Sequence, residues 1–398
     1  MMTPEAASNE AAGLGGGRDR FARSPLVVIW EVTRACDLAC LHCRASAMAE
    51  REPGELTTEE GLKLIGDLRR FGRPIFVLTG GDPLKRPDIY TLIKAGADAG
   101  LTTNLSPSGT PLLTHAALYR ARQSGLSGVS ISLDGSNEES HDRFRGVRGS
   151  FRWSLDGAAA AAALGLRLQI NTTLTRHNLH DLQAIADLVG SLEAWRWTLF
   201  VLVATGRATA LQPVTPEEIE RVFEWLYELS RGAPFRIKTT EGPHYRRVAL
   251  MREAAAAGGH AAAAGSVAAA GTAHPGSNGA AVRAGSGGGR FVPGMNDGSG
   301  FLFISSRGDI QPSGFLPITA GNVRTDSLVE VYRDHPLFVA LRDPDRLGGR
   351  CGRCEFRATC GGSRARAFAA GGDYLGEDPA CAYEPPAASS TGGAALPV

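Results

Sequence analysis

Three cysteines within eight residues constrain this chain more than any other feature. Cys36, Cys40 and Cys43 follow the spacing C-x3-C-x2-C, and the next cysteine in the chain is Cys351. A structural zinc ion takes four closed ligands, whereas a thiolate-bound cubane cluster presents four irons. The triplet therefore predicts an iron–sulfur cluster with one iron left open for a further ligand.

A zinc site remains an alternative for the triplet. His42 or a distant residue would then complete three thiolates. A disulfide suits an odd and crowded triplet poorly, and a chain of 398 residues needs no such staple. We expect His42, which lies between two cysteines, to point away from the metal and to cover a bound ring.

Charge and hydropathy exclude several classes of partner. The chain has 42 basic and 41 acidic residues, a balance that favours neither nucleic acid nor an anionic membrane as a partner. Residues 1–24 lack the apolar region of a secretory signal, and no run approaches the ~20 apolar residues of a membrane span. With seven cysteines and no obvious pairing, we expect a cytoplasmic protein.

An alternation of strand and helix patterns follows the first strand. A capping box at residues 57–60 opens one helix, and Pro87 opens the next. Six strand–helix units of ~30 residues predict parallel strands and an α/β fold, a partial (β/α)6 barrel. The predicted strands are residues 26–30, 74–79, 101–105, 128–133, 166–172 and about 197–203.

Composition divides the rest of the chain. An Ala- and Gly-rich stretch predicts a flexible insertion, and residues 301–304 with a turn at 307–309 predict a hairpin. The predicted segments are a disordered arm (1–24), the barrel (25–232), a connecting segment (233–252), the insertion (253–290), a cysteine-rich domain (291–385) and a disordered tail (386–398).

Polar motifs follow several of the predicted strands, where sites of such barrels lie. Gly80, Gly81, Asp82 and Pro83 follow the second strand; alone, they predict only a tight turn. Ser132 and Asp134 end the fourth strand on one face, or form an Asx-type turn before Gly135. Weaker candidates at other strand ends are Asn171, Ser106, Ser108 and residues 203–207.

With the triplet after a first strand, the chain resembles the radical S-adenosylmethionine (SAM) enzymes. The resemblance implies the partial barrel, an open iron that binds the methionine part of SAM, and reductive cleavage to a 5′-deoxyadenosyl radical that abstracts hydrogen. It also implies an electron donor such as ferredoxin or flavodoxin. Residues 80–83 resemble the family's Gly-Gly-Glu-Pro motif, with Asp82 in place of Glu. By the same resemblance, SAM is approached by His42, Gly80, Gly81, Asp82, Pro83, Ser132, Asp134 and Asn171.

A second set of cysteines lies near the C-terminus: Cys351, Cys354, Cys360 and Cys381. From spacing alone, four ligands also suit a structural zinc ion. The nearby arginines at 350, 353, 357, 364 and 366 either balance thiolate charge or are solvated surface.

This second set resembles the SPASM-type extension, which binds auxiliary [4Fe-4S] clusters. Ser313 stands where two-cluster, peptide-modifying members commonly have cysteine, so the resemblance implies one auxiliary cluster on four thiolates. The cysteine count and the run at 361–367 resemble the subgroup that acts on tetrapyrroles in haem d1 and alternative haem biosynthesis.

The sequence therefore leads to three hypotheses of function. The first is hydrogen abstraction from a tetrapyrrole carboxylate side chain, for which the candidate carboxylate clamps are Arg143, Arg145, Arg148 and Arg207. The second is a maturase of a ribosomally made peptide. The third is a non-catalytic metal-binding scaffold.

Overall fold

The computed structural model describes residues 21–256 and 294–386. Strands and helices alternate over most of this part. Its strands are β1 (Val27–Glu31), β2 (Ile75–Thr79), β3 (Thr102–Leu105), β4 (Gly128–Ser132), β5 (Arg167–Leu174), β6 (Arg196–Val201), β7 (Arg236–Thr240), β8 (Phe301–Ile304), β9 (Asp309–Gln311) and β10 (Gly321–Asn322).

Helices connect these strands and complete the C-terminal part. They are α1 (Thr58–Leu68), α2 (Ile89–Asp98), α3 (His115–Gln123), α4 (Glu138–Arg145), α5 (Ser150–Ala163), α6 (Leu182–Ser191), α7 (Pro216–Ser230), α8 (Tyr245–Ala256), α9 (Leu328–Asp334), α10 (Pro336–Arg342), α11 (Gly349–Arg353) and α12 (Arg364–Gly371). None of the helices in the described ranges is long and apolar enough to cross a membrane.

All ten strands form one sheet, in the order β10-β9-β8-β1-β2-β3-β4-β5-β6-β7. Strands β1 to β6 are parallel neighbours in chain order, which confirms the six predicted units and the α/β class. The predicted hairpin is also confirmed, because β8 and β9 pair antiparallel.

The sheet extends further than six strands at both edges. Strand β7 pairs parallel with β6, so residues 236–240 belong to the barrel sheet and not to the predicted connecting segment 233–252. Strand β8 pairs parallel with β1, although more than 200 residues separate them along the chain. The C-terminal part, predicted as residues 291–385, is therefore joined to the barrel through the sheet itself.

One apolar core joins the sheet to the helices packed on it. Trp30 of β1 and Trp197 of β6 are fully buried in it, as are Leu68 of α1 and Phe223 of α7. The predicted capping box is present: Thr57 Oγ1 accepts a hydrogen bond from the Glu60 backbone nitrogen at 3.2 Å, and Glu60 accepts one from the Thr57 nitrogen. The start of α1 is thus specified locally.

Two predicted boundaries are wrong by a few residues. Phe21, assigned to the disordered arm, is buried against Val27 and Met295, and its carbonyl accepts a hydrogen bond from Tyr332 Oη at 2.8 Å. Residues 253–256, assigned to the flexible insertion, form the last turn of α8. The remainder of the predicted arm (1–20), insertion (257–290) and tail (387–398) lies outside the described residues.

We predict that Phe21→Ala lowers the free energy of unfolding by roughly 3 kcal/mol, since it removes a buried aromatic ring. Urea unfolding of the purified protein, followed by circular dichroism, measures this change. The matched control is Leu26→Ala. Because Leu26 is 36% exposed, this substitution should lower the free energy of unfolding much less. Equal losses for the two variants would show that Phe21 does not belong to the core.

Candidate functional site

A cavity of about 200 Å³ lies where the loop after β1 meets the carboxyl ends of neighbouring strands. Cys36, Cys40 and Cys43 all contribute to its wall. Other predicted residues that line it are His42, Gly80, Gly81, Ser108, Ser132, Asn171, Val203 and Arg207. The parallel sheet thus brings together most of the residues that the strand-end motifs had singled out.

Polar groups of the chain already surround the three sulfurs. The Leu38 backbone nitrogen donates to Cys36 Sγ and the Ala47 nitrogen to Cys43 Sγ, each at 3.4 Å. Arg145 Nη1 lies 3.8 Å from Cys40 Sγ. Burial raises the pKa of the Cys36 and Cys40 thiols. These sulfurs therefore need a metal centre to remain thiolates, and the N–H groups suit sulfur that carries charge.

The glycine turn after β2 packs directly on the cysteine loop. A side-chain carbon on Gly80 would lie 2.4 Å from the Thr33 carbonyl oxygen, and one on Gly81 would lie 2.4 Å from that of Ala35. The Gly81 nitrogen donates to the Thr33 oxygen at 2.8 Å. Glycine is required here because the two backbones touch.

Two further segments hold the other side of the cysteine loop. Arg207 donates from its backbone nitrogen to the Cys43 oxygen at 3.0 Å and from Nε to the Cys40 oxygen at 2.9 Å. The end of α4 contributes as well, since the nitrogens of Ala39 and Leu41 donate to carbonyls of residues 145 and 144. The cysteine loop is thus fixed by backbone contacts on three sides.

Asp82 and Pro83 lie behind the cavity wall and do not line it. Asp82 is fully buried, and its carboxylate accepts hydrogen bonds from Thr110 Oγ1 at 2.7 Å and from the Leu84 nitrogen at 3.1 Å. Burial raises the pKa of Asp82. The acidic position of this motif therefore shapes the turn, and the glycine backbone faces the cavity.

Asp134 also differs from the expectation that it approaches the ligand. Its carboxylate is completely buried and forms an ion pair with Arg145, while its Oδ1 accepts a hydrogen bond from the Thr173 nitrogen at 2.7 Å. Arg145 holds the pKa of Asp134 below its usual range despite burial. The cavity is thus lined by Arg145, with Asp134 as the buried counter-ion.

His42 stacks on the Phe144 ring, with centroids 4.4 Å apart and planes 5° apart. Burial lowers the pKa of His42 to about 3, so the imidazole is neutral. Its Nδ1 has no hydrogen-bond partner within the described residues. A flat, neutral ring of this kind suits a position beside a bound group.

The cavity wall is cationic. It contains Arg44, Arg145 and Arg207, and within the described residues no Asp or Glu lines it. Arg143 and Arg148, proposed earlier as clamps, are not in the wall. Sequence analysis missed Arg44, whose guanidinium lies 4.8 Å from the Phe303 ring centroid and donates to Glu31 at 2.7 Å. Neither partner is a sequence neighbour of Arg44, and Phe303 lies in the C-terminal part of the chain, so no local signal marks this arginine.

The second cysteine set forms a separate site. All four thiols, Cys351, Cys354, Cys360 and Cys381, line one small cavity of about 30 Å³. Burial raises the pKa of Cys354 to about 11 and that of Cys360 to about 12. As in the first site, these thiols would become thiolates when a metal centre replaces their protons.

Backbone N–H groups and one arginine point at these sulfurs. The Asp378 nitrogen donates to Cys351 Sγ and the Gly362 nitrogen to Cys360 Sγ, each at 3.4 Å. Arg364, which is 1% exposed, places Nη2 3.7 Å from Cys351 Sγ. The other four of the five arginines near this set, Arg350, Arg353, Arg357 and Arg366, instead form ion pairs with glutamate or aspartate.

Both sites have the donor chemistry of thiolate-bound clusters: three or four thiols facing one cavity, with N–H groups directed at sulfur. Within residues 21–256 and 294–386, no three His, Cys, Asp or Glu side chains are arranged to hold a single metal ion. It is the thiols that share each cavity, together with their N–H donors, that fit the residues to a thiolate-bound cluster.

Comparison with known proteins identifies related chains. The sequence pattern of the Radical SAM superfamily matches residues 30–189. The chain is 38% identical to a protein of Methanosarcina barkeri named AdoMet-dependent heme synthase, over 92% of this chain and 98% of that protein. It is 40% identical to the protein of the same name from Oleidesulfovibrio alaskensis, over 90% of this chain and 87% of that protein.

A weaker match is a PqqA peptide cyclase of Bradyrhizobium diazoefficiens, 29% identical over 91% of this chain and 87% of that protein. Among solved structures, Streptococcus suis SuiB superposes with a TM-score of 0.67 at 17% identity, over 92% of this chain and 79% of SuiB. At that identity the likeness concerns the fold.

We predict that Gly81→Ala loosens the cysteine loop, because its added carbon overlaps the Ala35 carbonyl. Overpacking of this kind costs roughly 1–3 kcal/mol, and the thiols of the metal-free protein should react faster with a thiol reagent. The control is Gly66→Ala in α1, where nothing lies within 4 Å of the added carbon. If both variants react at the same rate as the parent, the glycine turn does not fix the loop.

Proposed function

The chain belongs to the radical SAM superfamily, and from that premise we propose that it abstracts hydrogen from a carboxylate side chain of a tetrapyrrole. It is an enzyme whose cofactors are a [4Fe-4S] cluster and SAM. The substrate class and the residue roles given below are our proposals.

We assign the first cluster to Cys36, Cys40 and Cys43, and SAM to the cavity beside them. Ser132, Asn171 and the backbone of Gly80 and Gly81 would orient SAM. Behind the wall, Asp82 and Pro83 hold the glycine turn and Asp134 holds Arg145, while His42 covers the bound group. The second set of four thiols would hold one auxiliary [4Fe-4S] cluster. When bound, the first cluster and SAM supply a radical that abstracts hydrogen, and the auxiliary cluster supplies an electron acceptor.

One observation carries the substrate class: three arginines and no carboxylate line the cavity among the described residues. Guanidinium groups bind carboxylates in a bidentate manner. Arg207 Nη2 is buried and has no hydrogen-bond partner in the described part of the chain, so it is available to an incoming carboxylate. A carboxylate that reached this atom would satisfy its hydrogen-bonding capacity without displacing another partner within the described residues.

Apolar rings supply the second requirement of a tetrapyrrole. Phe200 at the end of β6 and Phe315 of the C-terminal part both line the cavity, and their centroids lie 6.2 Å apart. A large flat ring bearing carboxylates matches aromatic groups next to guanidinium groups. The relatives named heme synthase, at 38% and 40% identity, support the same substrate class.

The alternative substrate is a ribosomally made peptide. Support for it comes from the peptide cyclase relative, but that relative is less similar, at 29% identity. A non-catalytic scaffold is not compatible with membership of this enzyme family. We further propose a cytoplasmic location, and a ferredoxin- or flavodoxin-like protein as the source of the reducing electron.

We predict that the anaerobically reconstituted protein holds about eight irons, as two cubane clusters require. Cys40→Ser should lose about four irons and stop the release of 5′-deoxyadenosine from SAM, because one ligand of the first cluster is gone. Cys354→Ser should lose about four irons from the second site. Iron and sulfide assays with chromatography of the nucleoside measure these effects, and Ser191→Ala on the surface is the control. Four irons together with zinc would contradict the auxiliary cluster.

We predict that the enzyme binds tetrapyrroles with free carboxylates at least tenfold more tightly than their methyl esters, since esters cannot form charged pairs with the arginines (1.4 kcal/mol is a factor of about ten). Absorbance titration with matched acid and ester forms measures the affinities. Arg207→Gln should reduce the preference for the acid. If no tetrapyrrole acid binds while precursor peptides do, the peptide hypothesis replaces this one.

A further inference from the structure

A histidine that the sequence analysis did not single out lies against the second cysteine set. His244 is fully buried and lines the same small cavity as Cys351, Cys354, Cys360 and Cys381. Neither of its ring nitrogens has a hydrogen-bond partner within the described residues. A buried polar ring without a partner is rare in folded proteins and calls for an explanation.

The surroundings of the ring offer no substitute partner. Asp378 Oδ2 lies 3.9 Å from His244 Nδ1, which is too far for a hydrogen bond. The Phe223 ring packs against the imidazole with a centroid distance of 4.6 Å and accepts no conventional hydrogen bond. Arg366 pairs with Asp378 through two hydrogen bonds at 2.8 and 2.9 Å, so the aspartate is already satisfied.

The position of His244 is fixed by the backbone. It follows β7 in a tight turn, in which the Tyr245 nitrogen donates to the Gly242 oxygen at 3.1 Å and Thr239 Oγ1 donates to the same oxygen at 2.8 Å. A side-chain carbon on Gly242 would lie 2.9 Å from Phe223, so the turn has little room to move. The barrel sheet therefore holds the imidazole at the second site.

We propose that His244 donates an N–H hydrogen bond to the centre held by the four cysteines. The inference rests on the auxiliary cluster proposed above. Sulfurs of such a cluster are acceptors that would satisfy the unpartnered ring nitrogen. A hydrogen bond to sulfur stabilises the extra negative charge of the reduced cluster, so it raises the reduction potential.

The test is a redox titration of the auxiliary cluster alone. The full-length chain carries Cys36→Ala, Cys40→Ala and Cys43→Ala, so that only the second site gives an electron paramagnetic resonance signal. When His244→Leu is added to this triple-cysteine variant, the protein should retain about four irons, and its cluster should have a lower reduction potential. His244→Asn, whose amide can donate, should restore part of the shift. Phe223→Leu, which disturbs the same packing without removing an N–H group, should titrate like the parent.

Each outcome decides between the proposals. If His244→Leu and Phe223→Leu shift the potential equally, or neither shifts it, the donor role of His244 is wrong and the auxiliary cluster stands. Loss of iron from both histidine variants, with retention in Phe223→Leu, would make the imidazole a ligand and would also overturn the donor role. If the triple-cysteine variant itself binds no iron at the second site, the proposal of an auxiliary cluster is wrong, and the inference about His244 fails with it.

Discussion

The close approach of two backbones, the cysteine loop and the glycine turn after β2, is the contact on which the first site depends. The loop carries three thiols but no regular helix or strand, so its conformation must come from its neighbours. Gly81 and Asp82 donate to the carbonyls of Thr33 and Ala35, and Arg207 donates to two further loop carbonyls. These hydrogen bonds pair polar backbone groups of the loop and so specify its conformation.

The same sheet fixes the second site relative to the first. Strand β8 extends the sheet beside β1, and Arg366 of α12 bridges the two halves of the molecule. Its guanidinium donates to the Leu202 carbonyl at the end of β6, to the Glu241 carbonyl after β7, and to Asp378 beside the second cysteines. A bidentate, buried ion pair of this kind loses most of its value if the geometry changes, so it favours one relative placement of the two cavities.

The features that could be predicted from the sequence are those that short-range patterns encode. Cysteine spacing marked both sets of thiols, apolar runs marked β1 to β6, and Thr57 with Glu60 marked the start of α1. The sequence did not predict that β8 pairs with β1, because that register depends on side chains far apart in the chain. Asp134 was misplaced for a related reason: its partner, Arg145, lies on a different element, and strand spacing alone cannot tell a ligand-facing carboxylate from a buried counter-ion. His244 gave no signal, since an isolated histidine has no motif.

The three arginines of the first cavity are each held in place by hydrogen bonds or ion pairs to other parts of the chain. Arg145 is paired with buried Asp134, Arg44 with nearly buried Glu31, and Arg207 with backbone carbonyls. Asp134 and Glu31 both lie outside the cavity wall, so the negative partners of Arg145 and Arg44 stand behind these cations and not in front of them. Guanidinium groups held in this way lose little conformational freedom when an anion arrives. For the substrate class that we propose, the wall would be prepared for a carboxylate in advance, and the buried acids Asp134 and Glu31 would hold two of its arginines in place.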